Sequence, residues 1–89
     1  MKTIYKYPLN IVDKQVINLP ISAEFLHAGL DPVGKPCLWF IVENTNATMD
    51  YIIRIIGTGN PLDKDIEWFD HLGSVTMPPD VWHIFLAYI

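Results

Sequence analysis

Short runs rich in Val, Ile, Tyr, Phe and Trp recur along the chain, each stopped by proline, glycine or a polar cluster. Helix signals are scarce, and this punctuation predicts short antiparallel strands. The first spans Thr3–Tyr7, with Thr3, Tyr5 and Tyr7 on one face and Lys2, Ile4 and Lys6 on the other. Pro8 ends it. Lys14–Leu19, closed by Pro20, and Glu24–Leu30 follow. Asp31-Pro32-Val33-Gly34-Lys35-Pro36 reads as a turn, because proline presets φ and glycine supplies a positive one. Cys37–Glu43 is apolar on both faces and so predicts a central strand. After the polar run Asn44–Thr48 comes Asp50–Ile56, expected to complete a meander with the two strands before it. Leu62–Glu67 has room for one helical or 3-10 turn. Trp68–Met77 predicts a sixth strand bulged at Gly73, and Val81–Tyr88 a seventh. The expected architecture is all-β: a small antiparallel sandwich or half-open barrel of about seven short strands, in a single domain over residues 1–89.

The apolar fraction of 51% supports a packed core, and 89 residues are too few for two. Charged residues make up only 18%, which predicts apolar surface hidden in a homo-oligomer. The uncharged end Leu86-Ala87-Tyr88-Ile89 predicts a last strand covered by another subunit. A net charge of −4 argues against duplex DNA as a partner. No stretch has the length of a membrane span, and no signal peptide is read, so a cytoplasmic location is expected. The one cysteine, Cys37, forms no intrachain disulfide.

Few residues carry chemistry. His27, His71 and His83 lack ligand spacing, so no metal or other cofactor is expected. Asp63, Asp65, Glu67 and Asp70 read as a solvated acidic turn. Neither Ser22 nor Ser74 sits in a nucleophile elbow, which argues against an enzyme. Gly57-Thr58-Gly59-Asn60-Pro61 is the sharpest local feature. Its glycines let a ligand approach the backbone closely and turn N–H groups outward, as in an anion-binding nest. Arg54, the only arginine, stands among isoleucines and needs a partner: a carboxylate such as Glu43 or Glu67, or a phosphate that suits its planar fork. Tyr5, Tyr7 and Trp82 are candidates to stack on a nucleobase.

Met1–Leu9, Pro36-Cys37-Leu38-Trp39 and Arg54–Pro61, in this order and spacing, resemble a family of small bacteriophage and prophage proteins. Its members begin Lys-Thr-Ile-Tyr-Lys-Tyr-Pro, carry Pro-Cys-Leu-Trp and reach Gly-Thr-Gly-His-Pro. The chain departs at Asn60, where the family has histidine; asparagine keeps the hydrogen bonding and loses the charge. The family looks like the anti-CBASS sponges, which bind a nucleotide signal of host defence without cleaving it. The resemblance implies immune evasion in the host cytoplasm, with a cyclic dinucleotide or an ADP-ribose derivative as ligand. Arg54, Gly57, Thr58, Gly59, Asn60, Tyr5, Tyr7 and Trp82 would then form the binding site. Two other readings compete with it. One is a protein-binding inhibitor that uses a β edge or the acidic face. The other is a hydrolase of the same signals, working through His71 or Asp70.

Overall fold

The computed structural model describes residues 1–88. Its strands are β1 (Lys2–Pro8), β2 (Lys14–Pro20), β3 (Glu24–Leu30), β4 (Pro36–Glu43), β5 (Thr48–Gly57), β6 (Asp70–Met77) and β7 (Asp80–Tyr88). A short 3-10 helix, Lys64–Trp68, precedes β6. Proline closes β1 and β2 and opens β4. At a strand end its missing N–H leaves no gap in the ladder.

Two antiparallel sheets pack face to face, one ordered β1-β4-β3 and the other β2-β5-β7-β6. The fold is a sandwich, not a closed barrel. Its core is the inward row of each strand: Leu38, Phe40 and Val42 from β4 against Tyr51, Ile53 and Ile55 from β5, with Ile17, Leu19, Val75, Ile84 and Leu86 around them. The sheets approach closely where β3 crosses β6; a Cβ on Gly73 would lie 3.3 Å from that of Ala28. The pairing of β6 with β7 shifts register between His71 and Gly73, at the expected bulge. Among the described residues, no helix is long and apolar enough to cross a membrane.

Two expectations are corrected. β3 and β4 pair, but β5 does not continue their meander. β1 and β3 already occupy both edges of β4, so β5 crosses to the second sheet and pairs with β2 and β7. The last strand has no open edge for another subunit to pair with. β7 is an inner strand, hydrogen-bonded on one side to β5 and on the other to β6 of the same chain.

Candidate functional site

The Gly57–Asn60 segment leaves the end of β5 and is sewn to the start of β7. The Thr58 N–H donates to the Val81 carbonyl at 3.1 Å, and the Asn60 N–H donates back to the Gly57 carbonyl at 3.1 Å. Gly57 lies opposite Trp82 in the β5–β7 register. A Cβ on Gly57 would sit 3.0 Å from the Trp82 ring and 3.1 Å from the Asn60 side-chain nitrogen. Glycine here lets the indole and the amide close on the backbone. Gly59 has φ +90°, the left-handed region that favours glycine.

Thr58 is held by a side chain the sequence had not connected to it. Its Oγ1 lies 2.7 Å from His83 Nε2, and Ser74 Oγ lies 2.7 Å from His83 Nδ1. The two ring nitrogens of His83 are thus both engaged by hydroxyls. His71 stands alongside, its ring 6.4 Å from that of His83 and 5.0 Å from that of Phe85.

Two clefts share this turn. The larger, about 400 Å³, lies between the Ile11–Asp13 segment and the turn, with Ile55, Ile56, Asn60, Pro61 and Trp82 completing its walls. That volume is at the small end of ligand pockets. The second, about 230 Å³, runs from Gly57–Asn60 and Leu62 to His83 and Phe85. Ile56 and Asn60 border both.

Arg54 lines neither cleft but sits in a carboxylate cage, one member of which, Asp13, also walls the larger cleft. Its Nη2 donates to Asp13 Oδ1 and Asp63 Oδ2, each at 3.1 Å, its Nη1 to Asp65 Oδ1 at 3.4 Å, and its Nε to the Asp13 carbonyl at 3.2 Å. Burial alone lowers the guanidinium pKa. Hydrogen bonds to Asp13 and Asp63, with the charges of Asp13 and Asp65, outweigh it and shift the pKa upward. The carboxylate partners are therefore not Glu43 or Glu67. Glu43 is engaged by the Met1 amine and by Thr45 instead. The guanidinium fork is occupied, and a phosphate would have to displace carboxylates to reach it.

The other predicted residues divide. Gly57, Thr58, Gly59, Asn60 and Trp82 are brought together. Tyr5 and Tyr7 are not: they lie on β1, in the other sheet. Tyr7 packs edge-on to Phe40, with ring centroids 5.7 Å apart. Burial, then the neighbouring Tyr5, raises its phenol pKa. His27 packs on Trp39 in that same sheet, their ring centroids 5.5 Å apart, whereas His71 and His83 lie in the other sheet. Sequence reasoning missed His83, Ser74, Phe85 and Leu62. The only signal for His83 was the register of its strand: pairing Val81–Tyr88 with Asp50–Ile56 puts it opposite Ile56, next to the glycine turn.

The model of a domain of unknown function, DUF7352, matches residues 1–88, and the chain belongs to that family. No curated protein and no solved structure matches it.

Proposed function

We propose that this member of the DUF7352 family is a phage immune-evasion protein. In the host cytoplasm it captures a small nucleotide signal of host defence in the paired clefts around Gly57–Asn60 and holds it intact. The observation that carries the reading is the shared turn. One glycine-rich segment walls two adjoining clefts and surrounds them with a stacking face at Trp82, hydrogen-bonding groups at Thr58, Asn60 and His83, and apolar contact at Ile56 and Phe85. A base fits the larger cleft against Trp82, where stacking contributes roughly 1–3 kcal/mol per base.

Arg54 is committed to Asp13, Asp63 and Asp65, and the Thr58 and Asn60 N–H groups donate to Val81 and Gly57, so phosphate contacts fall to the Thr58 hydroxyl, the Gly59 N–H and the Asn60 side chain. That favours a ligand with few, singly charged phosphates, such as a cyclic dinucleotide, over a polyphosphate chain.

The test is capture and release. The protein is mixed with a panel of cyclic dinucleotides and ADP-ribose signals, freed of unbound ligand and heat-denatured, and the released nucleotide is identified by mass. Intact nucleotide in proportion to protein, lost in Asn60→Ala and kept in Tyr5→Ala, supports the reading. Retention of nothing overturns it and favours the protein-binding inhibitor, whose acidic turn at Asp63, Asp65 and Glu67 is exposed.

A further inference from the structure

We propose that the chain forms a two-fold dimer in which Trp68 of each copy fills an aromatic cleft of the other. The interface is separate from the capture site and does not rest on it. Trp68 ends the 3-10 helix and is 82% exposed. Its base is fixed, because Asp63 and Asp65 just upstream are bonded to the buried Arg54. A bulky indole is thus held out in water on a fixed support.

The matching hole opens between the two sheets. It has a volume of about 180 Å³ and is walled by Phe25, Phe40, Tyr51 and Tyr88, with Asp70 at its edge. A cavity of about 150 Å³ takes a benzene ring, so this cleft seats the six-membered ring of an indole and leaves the five-membered ring at its mouth. The walls are unfinished: Tyr88 is 68% exposed and Phe25 37%. The rings already present meet at 5.6 Å for Phe25–Phe40 and 5.1 Å for Tyr51–Tyr88. An entering indole would add a further ring to this cluster, in which Phe25 and Phe40 already pack edge to face.

The polar atoms match as well. An indole N–H can only donate and needs an acceptor when buried. The Asp70 carboxylate, on the lining of the cleft, offers one.

The occupant follows from where knob and hole lie. Trp68 is two residues upstream of Asp70, so both belong to one region of the surface. A knob and a hole on the same patch are what a two-fold contact requires, since each copy then fills the other in one docking event. Exposed parts of Trp68, Tyr88 and Phe25 amount to about 400 Å², taking the usual area of such rings. That is roughly half of the 800 Å² per partner in a standard interface, which suits an aromatic core with a polar rim. Glu67, the residue before Trp68, brings a carboxylate to the rim of each copy, and like-charge repulsion between them means the dimer tightens as salt is added.

Sedimentation velocity over a dilution series tests this on the full chain, with Trp68→Ala and Tyr88→Ala beside the wild type. Trp68 is too exposed for its truncation to harm the protomer, and an unchanged melting temperature of the dilute monomer confirms that. The expected result is a wild-type dimer whose dissociation constant rises about thirtyfold or more in Trp68→Ala, the scale of an interface hot spot. Tyr88→Ala weakens it too. A wild type that stays monomeric at the highest concentration, or a dimer whose dissociation constant is unchanged in Trp68→Ala, overturns the proposal.

Discussion

Arg54 is the place where removing a charge and removing its partners should have unequal consequences. The residue is 6% exposed, whereas the side chains of Asp13, Asp63 and Asp65 are 74%, 73% and 58% exposed. Arg54→Met deletes the buried charge and leaves carboxylates that water can solvate. What is lost is a set of charge-assisted bonds, discounted because one side of each is wet. The expected cost is about 2 kcal/mol. The converse variant, Asp13→Asn with Asp63→Asn and Asp65→Asn, leaves the guanidinium buried with no countercharge. Uncompensated buried charges of this kind cost roughly 3–5 kcal/mol. In a domain of this size 1 kcal/mol shifts the melting temperature by about 4–8 °C, so the two variants are separable by calorimetry. The triple variant should melt well below Arg54→Met. Equal melting temperatures, or a triple variant more stable than Arg54→Met, would refute the assignment of the buried member of the cage.

Four further outcomes are expected. Gly59→Ala meets no atom within 4 Å and is strained only by its φ of +90°, so it should cost about 1 kcal/mol of stability. Gly57→Ala instead presses on Trp82 and Asn60, so it should weaken ligand capture more than Gly59→Ala does, as read by calorimetric titration of both variants. Asp31 accepts the Lys35 and Val33 N–H groups and the Lys6 ammonium, and the Lys35 bond, then Lys6, holds its carboxyl below the usual aspartate range. Its folded pKa is depressed, so its contribution is complete above the ordinary aspartate pKa and fades as pH falls through the folded value; in acid titrations of stability, Asp31→Asn should flatten that decline. Cys37 is fully buried, and burial, then the charge of Asp31, raises its thiol pKa; a disulfide reagent should label it only at the rate of global unfolding.

The strands were legible because the punctuation is strong. Pro8, Pro20 and Pro36 mark ends that the structure keeps, and the run Cys37–Glu43 reads correctly as a strand flanked on both edges. Pairing was not legible. Alternation tells which residues share a face, but nothing local tells β5 to leave β4 and stack against it. That choice depends on β1, far upstream, already holding the free edge. The site shows the same division. Glycines and asparagine announce the Gly57–Asn60 turn, and an arginine among isoleucines announces a buried partner. Its partners were not announced, because Asp13 lies 41 residues away and meets Arg54 only through the β2–β5 pairing. Tyr5 and Tyr7 fit a stacking role by residue type; their sheet, not their chemistry, keeps them from the turn.

The proposed capture puts ligand in the two clefts that flank the Gly57–Asn60 turn. Titration of isotope-labelled protein with the captured nucleotide, followed by amide and indole resonances, tests it most directly. Shifts centred on Thr58, Gly59 and Asn60, the indole N–H of Trp82, and His83 are expected. Shifts centred on the β1-β4-β3 sheet, or none at saturating nucleotide, would contradict it.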